Sequence, residues 1–225
     1  MSTKSSEKDS ALSADTVKPR AKSFRQRLPR YYRRLRELIG DDILRINSAG
    51  LGELMGLTAS QIRQDFSAIG AEGHQGYGYN VKDLYGKLGA ALGVNDHLRA
   101  VIVGNDGGLG EAIANNSCFS ARGVTLSGVF CPPEKKSGRG ASSPEKYIET
   151  AAEYCKSEKI EIAVVCTERA SSAKAFSALY ASGVRGFWNL TSSDPSLPSD
   201  AKVIDSNPMD SLLALSFELS DKGSQ

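Results

Sequence analysis

The sequence predicts an α/β protein in two parts: a small three-helix domain with a hairpin wing, then a doubly wound parallel sheet. Three observations carry this expectation. Apolar residues recur at helical spacing with glycine stops through residues 25–93. Short apolar strands alternate with helical stretches through residues 97–207. Between them His97–Gly110 (HLRAVIVGNDGGLG) reads as a strand entering a glycine turn.

Residues 1–24 are rich in Ser, Lys, Asp and Ala without periodicity and read as a disordered tail. From Leu28 the pattern becomes helical. Leu28, Tyr32, Leu35, Leu38 and Ile39 form one stripe, flanked by Arg30, Arg33, Arg34 and Arg36, and Gly40 ends the helix. Asn47-Ser48 can cap a second short helix that turns Leu51 and Leu54 inward and stops at Gly56. Thr58 opens a third. Its hydroxyl can accept from the amide three residues on, where Gln61 can reach back, which makes a capping box. Ile62, Phe66 and Ile69 then face the core, and Gln61, Arg63 and Gln64 face out. Gly73–Tyr79 (GHQGYGY) suits a tight β-hairpin, and Val81–Leu92 a linking helix ended by Gly93.

The second part changes period. Leu98–Val103 is a continuous apolar run, as a buried parallel strand should be, and Val124–Phe130 and Ile160–Cys166 repeat it. Val184–Leu190 and Lys202–Ile204 make two more strands. The helices between them are Leu109–Asn115, Pro144–Lys156 (with Ser143 as cap) and Ser171–Tyr180. The expected sheet is Rossmann-like. A last helix, Met209–Leu219, spreads Leu212, Leu213, Leu215, Phe217 and Leu219 over more than one face, so it is expected to pack on a partner subunit as well. The expected organisation is tail 1–24, winged helix 25–93, Rossmann-like domain 97–207 and C-terminal dimerisation helix 208–225.

The 225-residue chain carries a net charge of only +2, but Lys18–Arg36 holds nine basic residues and no acidic one. Such a block favours an anionic partner. No apolar run is long enough to span a bilayer and the N-terminus has no signal-peptide core, so the expected location is cytoplasmic, without a membrane partner. Cys118, Cys131, Cys155 and Cys166 contain no C-x-x-C pair, which points to reduced thiols and to no metal site. His74 and His97 are the only histidines, and no nucleophile–base pair can be assembled around them, so catalysis is not expected.

Helix, glycine-containing turn and helix with a polar outer face is the sequence form of helix-turn-helix. On that reading Gln61, Arg63 and Gln64 line the major groove, where Arg matches guanine and Gln matches adenine. Arg30, Arg33 and Arg34, with Thr58 and Ser60 at a helix N-terminus, face phosphates. His74, Gln75 and Tyr77 of the wing enter the minor groove or follow the backbone. A solvated polar face on a small bundle is the competing explanation for the same residues.

The glycine turn sets Gly104, Gly107, Gly108, Leu109 and Gly110 where a dinucleotide diphosphate would lie. It departs from G-x-G-x-x-G by one extra residue, and Asp106 brings a negative charge near the phosphate. The strand Val124–Phe130 ends in Cys131, where a ribose-binding carboxylate is expected. NAD(H) is therefore the expected cofactor, with a sheet kept for dimerisation or another ligand as the alternative.

These residues resemble the Rex family of redox-sensing transcriptional repressors from Arg27 to Leu219. The resemblance is carried by RLPRYYRRLREL (Arg27–Leu38), LTASQIRQDFS (Leu57–Ser67), GYGYNV (Gly76–Val81), SGVRGFWN (Ser182–Asn189) and Leu212–Leu219. It implies a winged helix joined to a Rossmann domain, with the C-terminal helix domain-swapped across a homodimer that binds double-stranded operator DNA. It also implies that NADH closes the Rossmann domains together and releases the DNA. An Arg–Asp–Tyr arrangement couples the two domains in the family. Arg33 matches its arginine, whereas Asn207 and Asn116 stand where the aspartate and tyrosine would align. The lengthened turn, Cys131 and these asparagines leave a second reading open, a Rex-like DNA-binding dimer with no NADH response. A small NAD-dependent oxidoreductase is a third, for which no proton donor is found.

Overall fold

The computed structural model describes residues 23–74, 76–115, 119–132 and 146–220. Ser143, Pro144, Gln75, Asn116 and Cys118 lie outside the described residues. The chain divides into two compact units, Met1–Leu92 and Gly93–Gln225.

The first unit comprises α1 (Phe24–Gly40), β1 (Arg45–Ile46), α2 (Ser48–Met55), α3 (Ala59–Ala68), β2 (Tyr79–Asn80) and α4 (Val81–Ala91). Each cap follows from its residue. Asn47 accepts from the Gly50 amide, Gly56 ends α2 in the left-handed region at φ +66°, and Asn80 accepts from the Asp83 amide. The core centres on fully buried Phe66, which Tyr31 and Tyr79 meet edge-on with ring centroids 5.1 Å away. Tyr32 is only half-buried and stacks on Tyr85 at 4.2 Å, fastening α1 to α4.

Two inward assignments change. Tyr31, not Tyr32, lies on the buried stripe of α1, because that stripe runs Arg27, Leu28, Tyr31, Leu35, Leu38. In α2 the buried pair is Leu51 and Met55, one turn apart, which rotates Leu54 to 47% exposure.

The wing closes as a tight hairpin: the His74 amide donates to the Gly78 carbonyl, and the Gly78 amide to the His74 carbonyl, both at 2.9 Å. Its returning strand β2 pairs antiparallel with β1, setting Ile46 opposite Tyr79. Gly78 sits at φ +69° with its α-carbon against β1, where a Cβ would stand 2.5 Å from the Ile46 carbonyl oxygen. Only glycine permits that approach.

The second unit runs β3 (Leu98–Val103), α5 (Leu109–Ala114), β4 (Val124–Phe130), α6 (Lys146–Glu158), β5 (Ile162–Val165), α7 (Arg169–Ala181), β6 (Gly186–Asn189), β7 (Lys202–Asp205) and α8 (Pro208–Ser220). All five strands are parallel in the order β4-β3-β5-β6-β7. β4 is therefore an edge strand and only half-buried, in contrast to the buried strand its apolar run suggests. Helices α6 and α7 cover Val101, Val103, Ala163, Val165 and Phe187 on one face. On the other face α5 packs over Ile102, Val164 and Cys166. The order reverses between β3 and β5, so the ligand crevice of such sheets falls at the carboxyl end of β3. No side chain of α8 is buried: Leu213 is 68% exposed and Phe217 64%.

The rotation of α2 has a measurable consequence. Leu51→Ala is expected to cost about 2–5 kcal/mol in denaturant unfolding, and Leu54→Ala to stay within about 0.5 kcal/mol of the parent. Equal losses at the two positions would contradict the helix orientation.

Candidate functional site

The polar face of α3 is built outward from one buried acid. Asp65 accepts from Arg27 Nε and Nη2, each at 2.7 Å, from the Tyr31 hydroxyl at 2.7 Å, and from Gln61 Nε2 at 2.9 Å. Arg27 and Asp65 are 7% and 2% exposed, so a bidentate ion pair lies inside the helical core and locks α3 to α1. Burial is the largest influence on the Asp65 carboxyl and opposes its charge. The hydrogen bonds from Arg27, Tyr31 and Gln61 together overcome it and hold the carboxyl below its ordinary 3.8. The Asp65 bond raises the Arg27 guanidinium correspondingly. Burial, then Asp65, pushes the Tyr31 phenol up. Sequence patterning assigns Arg27 to the basic block and misses Asp65. The available signal was position: Asp65 falls beside Ile62, Phe66 and Ile69 on the inward face, and Arg27 falls one turn before Tyr31.

Only half of the expected capping box forms. Thr58 Oγ1 accepts from the Gln61 amide at 3.2 Å, while the Gln61 side chain turns forward to Asp65 instead of back to the cap. A carboxylate one turn away is a stronger acceptor partner than the cap amide is a donor. Thr58, Ser60, Arg63 and Gln64 are exposed, and Gln61 is half-exposed. On α1, Arg33 is exposed, and Arg30 and Arg34 are half-exposed, with Arg34 donating to Glu37 at 2.6 Å.

Between α3 and the wing lies an open groove of about 630 Å³, lined among others by Ser48, Arg63, Ser67 and His74. Arg63 Nη1 donates to Ser48 Oγ, at the start of α2, at 3.1 Å. At the wing tip Tyr77 is 71% exposed, with the Arg45 guanidinium 5.5 Å from its ring centre.

The glycine turn follows β3. Gly104 adopts φ +101°, and a Cβ there would stand 2.5 Å from the Cys166 carbonyl oxygen, so only glycine lets β3 leave beside β5. A Cβ on Gly110 would run into the Gly104 carbonyl, which brings α5 flush against the turn. Gly107 and Gly108, both left-handed, have open space beyond them. Leu109 is half-buried and begins α5. The side chains oppose an anion: Asp106 and Glu111 are exposed carboxylates, and Asn105 Oδ1 already accepts from the Glu111 amide at 3.1 Å. Cys131 and Cys166 donate to the Gly104 carbonyl at 3.6 and 3.2 Å. Burial, then Glu111, pushes the Cys131 thiol up, and burial raises Cys166 to about 12.

On the α5 face of the sheet an apolar pocket of about 520 Å³ is lined by Ala112, Ile113, Phe119, Val164 and Trp188, among others. Asn207 caps the following helix, accepting from the Met209 amide at 2.9 Å and donating to Ser192 Oγ at 3.4 Å.

Known proteins share this fold along most of the chain. Residues 22–67 match a family described as "Putative DNA-binding protein N-terminus". The chain is 39% identical over 195 residues to a redox-sensing transcriptional repressor Rex of Clostridium botulinum (strain Alaska E43 / Type E3), covering 86% of this chain and 92% of that protein. It is 35% identical over 198 residues to the Rex of Caldicellulosiruptor saccharolyticus, covering 88% and 90%. Among solved structures it is similar to RSP bound to β-NAD+ and operator DNA, with TM-score 0.78, 35% identity, and 89% and 92% of the two chains covered. RSP bound to β-NADH gives TM-score 0.73 and 33% identity over 92% and 97%.

Removing one partner of the buried pair strands the other's charge, so Asp65→Ala is expected to cost about 3–5 kcal/mol. Because the native carboxyl lies below 3.8, its contribution is complete above that pH and is lost as the pH falls through the lower native value. Thermal melts of parent and variant should therefore converge on acidification. A gap that widens as the pH falls would contradict an ionised Asp65.

Proposed function

The chain belongs to the Rex family of redox-sensing transcriptional repressors, and on that premise we propose a dimeric, cytoplasmic repressor whose hold on operator DNA responds to NADH/NAD+. The observation that carries the reading is the groove between α3 and the wing. A cationic head, Arg63, lines it and is already held by Ser48. Gln61, Arg63 and Gln64 are the base-reading side chains in this proposal. Thr58, Ser60, Arg30, Arg33 and Arg34 take phosphates, and His74, Gln75 and Tyr77 supply the wing contacts.

The turn's backbone fits a dinucleotide better than its side chains do. Open space beyond Gly107 and Gly108 suits a diphosphate approaching the start of α5 at Leu109, and the tight Gly104–Gly110 crossing is what such a turn requires. Bound NAD(H) would supply a diphosphate and a ring whose charge changes with redox state. Gly104 and Gly110 shape the cradle, Gly107, Gly108 and Leu109 offer it backbone, and Cys131 stands at the ribose side without a carboxylate. The carboxylates of Asp106 and Glu111 favour a second reading, the same operator-binding dimer with a weakened or absent NADH response. Asn207, spent on capping α8, does not restore a charge.

The dimer is proposed from α8, whose apolar residues Leu212, Leu213, Leu215, Phe217 and Leu219 stay 52–68% exposed. Among the described residues no helix is long and apolar enough to cross a membrane.

Arg63→Ala should weaken operator binding by about 1–3 kcal/mol and relax base preference at one position. Unchanged binding at fixed salt would remove Arg63 from the reading set. Titration with NADH, followed by nicotinamide fluorescence, should saturate in the micromolar range if the redox reading holds. No signal up to millimolar NADH leaves the second reading. Ending the chain after Asn207 should leave monomers in sedimentation, and a stable dimer would remove α8 from the interface.

A further inference from the structure

Gln61 is tethered before any nucleic acid arrives. Its amide nitrogen donates to Asp65 Oδ1 at 2.9 Å, and Asp65 is itself fixed by Arg27 and Tyr31 at 2.7 Å. An ionised carboxylate only accepts hydrogen bonds, so the NH2 end of the Gln61 amide is the only end that can face it. The flipped amide would set Oε1 against a carboxylate oxygen. Gln61 therefore keeps Oε1 and one N–H for other partners, in a single orientation. That is the acceptor-and-donor pair that the adenine N6 and N7 edge requires. Guanine presents two acceptors there, O6 and N7, and would meet Oε1 with an oxygen. A glutamine free on the helix face could turn its amide over to suit either base.

We propose that Asp65, fixed by Arg27 and Tyr31, is a positioning residue that presets Gln61 to read adenine and reject guanine in the major groove. The proposal rests on the operator-binding reading above. It also gives the buried ion pair a use beyond joining two helices, which apolar side chains of similar volume do at no greater cost.

The test uses full-length protein and duplexes selected by it from a randomised pool. Affinity for the selected duplex is compared with affinity for versions in which each adenine pair is exchanged for a guanine pair, and with an unrelated duplex. Gln61→Ala is expected to lose about ten-fold of the discrimination at one position. Arg27→Met with Asp65→Leu is expected to lose it at the same position, with binding to the unrelated duplex unchanged. Circular dichroism checks that the double variant is folded. Asp65→Asn supplies an independent variant: its amide can present either end to Gln61, so guanine becomes tolerated at that position. Full discrimination in Gln61→Ala overturns the assignment of Gln61. Full discrimination in a folded Asp65 variant overturns the positioning role. If the parent enriches no sequence from the pool, the operator reading itself fails, and this inference fails with it.

Discussion

A carboxylate placed inside a small helical core has to be answered there, and the answer given to Asp65 organises the first unit. Arg27 reaches it with two parallel bonds and Tyr31 with a third, all at 2.7 Å. Both partners come from one face of α1, so the pair fixes the azimuth of α3 as well as its distance. Phe66, next in sequence, then falls between Tyr31 and Tyr79, which joins α1, α3 and the wing strand in one aromatic cluster. Helix, partner helix and wing are thus set by residues adjacent to a single charge. The exposed side chains of α3 inherit their directions from it.

In the second unit the governing constraint is steric. The Gly104 α-carbon has to pass the Cys166 carbonyl, and Gly110 has to pass Gly104, so that strand, turn and α5 are drawn together at the strand-order reversal. The chain keeps these two close approaches while changing the surrounding chemistry. Asn105 occupies an α5 amide, and Asp106 and Glu111 put negative charge where the fold would direct a phosphate. Architecture and electrostatics at this turn therefore pull in different directions. The proposed redox response depends on their balance.

Much of this was legible in the sequence because it rests on local rules. Asn47, Gly56 and Thr58 act as caps or stops at the positions their types predict, and Val124–Phe130 becomes a strand with the bounds its apolar run marks. What was not legible depends on distant partners. The inward position of Asp65 marks a buried acid, but it does not name Arg27, 38 residues away, as the partner that comes inside to meet it. Without that pair, Gln61 reads as a free groove residue and Tyr32 as good a core residue as Tyr31. At the glycine turn the sequence exposed the departure from the usual spacing. It could not tell that Asn105 would take the Glu111 amide, because that bond depends on the path of the inserted residue.

Helix α8 has thirteen residues and buries none of their side chains in its own chain. A helix of that length is marginal in water on propensity alone. Its order must come from whatever covers Leu212, Leu213, Phe217 and their neighbours. If that cover is a second protomer, folding of this segment is a bimolecular event, and its stability rises with the logarithm of protein concentration. Copy number then becomes a thermodynamic variable of the fold, setting how much of the C-terminal helix exists at all.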